Sequence, residues 1–237
     1  MTQVSNGSIG SVGPKLDFYF DVLCPYAWRT SLWIREVAQQ RPLDITWKQF
    51  SLALVNNAEP GTPRYDRGML FGRLFIAAER LGGNSAVDRL YLAIGDALHG
   101  GQGLDPTQDD VLQPILESVG LPAELREIVL DDDTTEQELR ASHEQGLARG
   151  AFGVPSLVFD GEEDAYFGPV VDPLPNGEQA VELFDFTRWA ARQPYLWEIK
   201  RDRKGRKLGP QPATVGIESV PNGSEVDACA WVPAAAP

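Results

Sequence analysis

Cys24-Pro25-Tyr26-Ala27 sets a single cysteine where an alternating apolar segment gives way to a helical one. The chemistry open to such a junction is nucleophilic. The first backbone N–H groups of a helix lack intrahelical acceptors and carry partial positive charge, so a sulfur there is stabilised as a thiolate. Proline at the next position loses nothing, because the N–H it lacks is one that a helix start leaves unpaired. A structural reading competes, since a lone cysteine also packs as a small hydrophobe. Ala27 stands where a dithiol site would carry its second sulfur, so a resolving thiol has to come from elsewhere.

The elements that would position Cys24 follow from periodicity. Leu16, Phe18 and Phe20 alternate with Asp17, Tyr19 and Asp21, the period of a strand. Ala27, Ile34, Val37 and Ala38 share a helical face that Pro42 ends. Ile45, Trp47 and Gln49 against Thr46, Lys48 and Phe50 predict a second strand, parallel to the first through a βαβ crossover. After turn residues from Asn56 to Pro63 the pattern is helical as far as Gly150, with Leu70, Leu74, Ala77, Ala78 and Leu81 on one stripe and Val87, Leu90, Tyr91, Ile94 and Leu98 on another. These stripes read as core. Thr107 to Val119 predicts a helix bent at Pro114 and ended by Gly120, Leu121-Pro122 starts the next, and Thr135 with Glu138 forms a capping box for a third. Roughly 85–90 residues of helix far exceed an ordinary connection and read as an inserted subdomain.

Strand character resumes at Ser156-Leu157-Val158-Phe159, turns at Asp160-Gly161 and returns through Ala165, Tyr166 and Phe167 as a hairpin. Ala180, Leu183, Phe184, Thr187 and Ala191 give the stripe of a closing helix, and beyond Tyr195 periodicity is lost, so the end is expected to be mobile or draped on the surface. The expected organisation is a lead-in over 1–14, one α/β domain from 15–60 and 151–194, the helical subdomain over 61–150, and an irregular tail over 195–237.

Composition narrows the function classes. A hydrophobic content of 43% supports a real core, and no apolar run approaches a membrane span, so a soluble globular protein without membrane association is expected. The first fourteen residues have neither the basic nor the apolar region of a secretion signal, and two cysteines make no disulfide framework, both of which point to the cytoplasm. Neither Cys24 nor Cys229 has zinc-ligand neighbours, so no metal is expected, and no phosphate-cradling glycine motif follows a strand, so no bound nucleotide is expected. A net charge of −13 argues against nucleic acid as a partner. One basic run, Lys200, Arg201, Arg203, Lys204, Arg206 and Lys207, departs from this balance and reads either as a solvated linker or as a polyanion contact.

Two distant segments, Phe18-Tyr19-Phe20-Asp21 leading to Cys24-Pro25-Tyr26-Ala27 and Gly150-Ala151-Phe152-Gly153-Val154-Pro155-Ser156 leading to a strand, together resemble the DsbA-like branch of the thioredoxin superfamily, which includes kappa-class glutathione transferases and 2-hydroxychromene-2-carboxylate isomerases. Within it, Ser51-Leu52-Ala53-Leu54-Val55-Asn56, Tyr65 with Gly68-Met69, Gly95-Asp96 with His99, Phe167-Gly168-Pro169-Val170 and Glu198-Ile199-Lys200-Arg201 are most similar to the actinobacterial mycothiol-dependent nitroreductases. The resemblance covers about residues 15–194 and implies an α/β thioredoxin-like fold with a large inserted all-helical subdomain. That family carries CPWC, from which Ala27 departs by removing the resolving thiol.

The resemblance implies a low-molecular-weight-thiol-dependent oxidoreductase, with mycothiol or glutathione as thiol co-substrate and an electrophilic or disulfide compound as substrate, acting through Cys24. A thiol transferase or cis–trans isomerase using the same cleft, and a non-catalytic thioredoxin-fold binding protein, stand as alternatives. Pairing of copies into a homodimer is common in this class. In the resemblance Val154-Pro155 is a cis bond facing the sulfur and Val154 offers its backbone to the thiol; on residue type alone Pro155 reads as an ordinary strand start, since most X–Pro bonds are trans. Pro25 and Tyr26 flank the sulfur, and Tyr26 either bonds substrate or covers the helix end. Trp28 and Trp33 either wall an aromatic pocket or fill the core. Asn56 and His99 are candidate lining residues through the resemblance alone, His99 reading otherwise as a helix-end group. His143, on an exposed-looking acidic helix, reads as structural, and Cys229 as a remote candidate for the resolving thiol.

Overall fold

The computed structural model describes residues 13–202, 205 and 207–213. Cys229 and part of the basic run lie outside the described residues. One sheet of four strands has the order β2-β1-β3-β4, with β1 (Lys15–Phe20), β2 (Asp44–Gln49), β3 (Ser156–Phe159) and β4 (Tyr166–Phe167). β1 runs parallel to β2, with Phe18 opposite Trp47. It runs antiparallel to β3, with Tyr19 opposite Ser156, and β3 is antiparallel to β4, with Ser156 opposite Phe167. The crossover from β1 to β2 is α1 (Pro25–Gln40), and α7 (Gly177–Ala191) packs on it, with Trp33 Nε1 donating to the Ala180 carbonyl at 3.0 Å.

Between β2 and β3 the chain forms only helices: α2 (Leu52–Val55), α3 (Pro63–His99), α4 (Asp109–Ser118), α5 (Leu125–Asp131) and α6 (Asp133–Ala148). This is the thioredoxin-like sheet with the helical insertion that the sequence predicts. Sheet and insertion share one aromatic core. Phe20 stacks on Tyr91 of α3 at 4.0 Å and meets Phe75 edge-on at 5.0 Å, while Phe18 packs on Trp47 at 4.9 Å. Arg35 lies 4.4 Å over Trp47 and pairs with Asp88, so a charge borders this core without being stranded in it.

The two stripes read between residues 70 and 98 belong to one long helix broken at Gly82 and Gly83, and Gly83 has φ +63°, where a β-carbon would be strained. The break delivers Asn84 to the outer edge of β2. Its carboxamide accepts from Trp47 N at 2.8 Å and donates to the Ile45 carbonyl at 2.7 Å, satisfying an edge that would otherwise invite pairing.

The insertion departs from its sequence reading in three places. The N-cap of α6 is Asp132, whose carboxylate accepts from Thr134 N at 2.9 Å, and not Thr135. Thr135 is instead buried within the first turn and accepts from Arg73 Nε at 2.9 Å, because the buried Arg73 guanidinium demands acceptors, which it also finds at the Val129 and Asp132 carbonyls. Leu121 does not open a helix: its N–H returns to the Leu116 carbonyl at 2.9 Å and closes α4. His143 is buried rather than exposed and packs 4.4 Å from Phe50, so burial lowers its pKa and keeps it neutral. Glu138 and Glu144 are exposed, which is what misleads the reading.

The tail is irregular but not loose where it is described. Residues 209–213 lie as a strap across α1 and the end of α3: Trp28 Nε1 donates to the Gln211 carbonyl at 2.8 Å, Arg29 to the Gly209 carbonyl at 2.6 Å, Gln211 N to the His99 carbonyl at 2.7 Å and Ala213 N to Asp96 at 2.6 Å. Trp28 is thereby sealed between strap and core. A β-carbon at Gly95 would fall 2.4 Å from its ring. Gly95→Ala is therefore expected to force the indole outward and cost about 1–3 kcal/mol, read as a reduced midpoint in urea with an unchanged slope.

Candidate active site

The end of β1 runs into the turn Asp21-Val22-Leu23, and Cys24 N donates back to the Asp21 carbonyl at 3.0 Å. Cys24 is the N-cap of α1 and Pro25 its first residue. Sγ lies 3.5 Å from Ala27 N, which donates to it, and 3.6 Å from the Val154 carbonyl, to which the thiol donates. The Val154-Pro155 peptide is cis. Two positions 130 residues apart in sequence thus converge on one sulfur. The side chain is 3% exposed, which keeps bulk water from it and restricts what can reach it.

The two contacts act oppositely on ionisation. The Ala27 N–H, at the positive end of α1, favours sulfur as an anion, whereas the Val154 carbonyl bonds only the protonated form. Proton loss therefore frees the carbonyl to accept from another donor while the helix holds the sulfur.

Asp21 is a candidate site residue that sequence reasoning missed. Its buried carboxylate accepts from Leu23 N at 3.0 Å and from Leu52 N at 2.8 Å, joining the Cys24 turn to α2. Burial raises its pKa, and the two backbone donors offset part of that rise. With Gln49, Ser51 and Gly72 it lines a narrow crevice that has no room for a water molecule. An acidic residue ending an apolar strand directly before the cysteine turn was the available signal.

The remaining expected site residues divide. Tyr26 is half-buried on the first turn of α1 and packs against the core. Pro155 is buried, and its carbonyl accepts from Gly168 N at 2.9 Å, which fixes the Val154 loop to the end of β4. Asn56 caps the end of α2 and spends its amide on the Leu52 carbonyl at 2.7 Å; its link to the sulfur runs through Leu52 and Asp21. Trp28 is fully buried and its N–H is used by the strap, as is Trp33's by Ala180, so both are core residues in this arrangement and not an open wall. His99 donates Nε2–H to the Val22 carbonyl at 2.8 Å, which places it behind the cysteine turn, not in front of it. Arg29 and Thr30 brace the other side of α1: Arg29 pairs with Asp172 at 2.8 Å and Thr30 Oγ1 donates to the Pro169 carbonyl at 2.8 Å. Among the described residues no group of three or more His, Cys, Asp or Glu is placed to hold a metal ion, and no helix is long and apolar enough to cross a membrane.

The family model described as mycothiol-dependent nitroreductase Rv2466c matches residues 23–201, a span that contains Cys24, Val154 and Pro155. The chain belongs to this Rv2466c-like family. It is 37% identical over 193 residues to a protein of Mycobacterium tuberculosis named "Uncharacterized protein Rv2286c", covering 79% of this chain and 82% of that one. Two solved structures share the fold. A 2-hydroxychromene-2-carboxylate isomerase superposes with a TM-score of 0.53 at 17% identity, covering 75% of this chain and 95% of the other. The cytosolic disulfide reductase DsbM from Pseudomonas aeruginosa gives 0.50 at 18% identity, covering 74% and 99%. Family membership places the chain among thiol-dependent oxidoreductases, within a DsbA-like thioredoxin fold.

His99 gives this region a pH signature. Burial pushes its pKa down to about 4, so the folded state holds it neutral while the unfolded chain protonates it near 6.5. Its contribution to stability is present above the unfolded value and is lost as pH falls from about 6.5 through about 4. His99→Gln is expected to show a flatter fall in melting temperature than the parent across that window, checked by thermal melts at matched ionic strength.

Proposed function

We propose that the chain is a mycothiol-dependent oxidoreductase that works through one nucleophilic sulfur, Cys24. The observation that carries this reading is the position of Sγ between the Ala27 N–H and the Val154 carbonyl, 3.5 and 3.6 Å away. The helix end holds the thiolate, and the backbone of Val154, released when the thiol proton leaves, accepts from the amide of an incoming thiol.

The cycle is thiol–disulfide exchange. The Cys24 thiolate attacks one sulfur of a disulfide R′S–SR′, forming a mixed disulfide with R′S and expelling the other half as its thiolate, which takes up a proton. A mycothiol thiolate then attacks the R′S sulfur or the Cys24 sulfur. In the productive sense a first mycothiol attacks the Cys24 sulfur and displaces R′S as a second thiol, and a second mycothiol attacks the mycothiol sulfur of the new mixed disulfide, leaving as mycothiol disulfide and freeing the Cys24 thiolate. Two mycothiols lose two electrons and two protons, and the substrate disulfide gains both as two thiols. Ala27 fits this use, because a site without an internal partner has to be resolved by small-molecule thiol.

A transferase or isomerase that holds a free thiol as its anion at the same helix end fits less well, since Sγ already takes the Ala27 N–H that such a thiol would need. Mycothiol as the thiol is supported by the family description, and cytoplasmic action by the family together with the low cysteine content.

Two measurements test the reading. Incubated with mycothiol disulfide in a Cys229→Ser background, the protein is expected to gain one adduct at Cys24 by intact mass, reversed by mycothiol, and Cys24→Ser is expected to lose both adduct and turnover. Turnover retained by Cys24→Ser would favour the transferase reading, and an unreactive Cys24 would leave a binding protein. Ala27→Cys restores a thiol at the third residue of α1, and is expected to convert the stable adduct into an internal disulfide between Cys24 and the introduced sulfur, which accumulates without mycothiol.

A further inference from the structure

Large apolar side chains on a protein surface are unremarkable singly, but a stacked pair beside a reactive group is a binding feature. Phe152 and Phe167 are 55% and 40% exposed, and their rings stack at 5.0 Å with planes 24° apart. Phe152 stands two residues before Val154, whose carbonyl meets Sγ of Cys24, and two residues of chain span at most about 7 Å. Phe167 ends β4 opposite Ser156, at the end of the sheet where β1 stops and the cysteine turn begins. Gly168 N, directly after it, holds the Pro155 carbonyl at 2.9 Å.

Gly153 separates Phe152 from Val154, and a β-carbon there would touch the Phe167 ring at 3.4 Å, so the ring lies against bare backbone. Both rings are therefore tied to the segment that carries the sulfur's carbonyl partner. The other exposed aromatic pair among the described residues, Phe186 with Trp189, belongs to α7.

Resting on the Cys24 reading above, we infer that Phe152 and Phe167 form an aromatic platform that selects planar aromatic acceptors over aliphatic ones. A third ring extends an offset stack at centroid distances of about 4.5–7 Å and covers apolar surface that is now wet. The thiol co-substrate carries its cysteinyl sulfur on a polar scaffold, and the ring faces would offer its polar groups no hydrogen-bond partner. The platform therefore takes the other reactant. Phe152 and Phe167 determine specificity and take no part in electron or proton transfer.

The test uses two disulfides with identical electron bookkeeping, 4,4′-dipyridyl disulfide, whose two rings are each flat, and aliphatic bis(2-hydroxyethyl) disulfide, each reduced by the full-length protein with saturating mycothiol and the uncatalysed rate subtracted. Phe152→Ala and Phe152→Leu are expected to lower kcat/KM for the dipyridyl compound by roughly three- to tenfold, through KM, with the aliphatic compound changed less than about twofold. Phe167→Leu is expected to do the same, with melting temperatures confirming intact folds. The leucine variants keep apolar area and remove the ring, so they separate stacking from burial. Equal losses for both disulfides, or a rise in KM for mycothiol instead, would overturn the platform while leaving the Cys24 reading standing. A parent protein that reduces neither disulfide would overturn both.

Discussion

Antiparallel pairing of β1 with β3 is the constraint from which the site follows. Because Tyr19 lies opposite Ser156, the end of one strand and the start of the other share an edge of the sheet. The chain leaving β1 reaches Cys24, and the chain entering β3 passes through Val154, so sulfur and carbonyl meet at 3.6 Å without either loop reaching. Slipping this register by one residue would turn every side chain of β1 to the opposite face and separate the two. The parallel neighbour β2 adds the third edge of the arrangement, since α2 follows it and receives the Asp21 carboxylate through Leu52 N.

How far the sequence disclosed this depends on the range over which each signal acts. Strands, α1 and the closing helix were legible because their periodicity is local, and Cys24 because a cysteine before proline at a helix start is a local chemical statement. The Gly150–Ser156 segment was legible only beside the first, through resemblance. What stayed hidden was polar and long-range. Asp21 reads as one solvent-facing member of an alternation, yet it is buried, because two backbone donors 2 and 31 residues away make its burial tolerable. Thr135 offers a capping pattern whose oxygen a distant arginine has already claimed. Trp28 and His99 stayed open between cleft and structural roles because nothing in residues 207–213 announces docking, and it is that strap which closes over the indole.

The site joins rigid and reactive parts in a consistent way. Three groups around the cysteine turn are held by polar contacts: Asp21 by two N–H groups, His99 by the Val22 carbonyl, Arg29 by Asp172 and the strap. Such networks resist rearrangement because breaking one bond strands a desolvated partner. In front of the sulfur the surface changes character to bare backbone and aromatic faces around Gly153. The orientation of the cysteine turn is thus set by polar contacts.

The strap has a consequence for how the protein is made. Arg29 and Trp28 are synthesised early, but their partners Gly209 and Gln211 lie 180 to 183 positions later. Translation runs at about 5–20 residues per second, so the guanidinium and indole wait on the order of ten seconds or more on the ribosome before they can be enclosed. During that interval Cys24 belongs to a nascent chain whose first helix is still partly uncovered, and a stretch some 180 positions later is the one that finishes it.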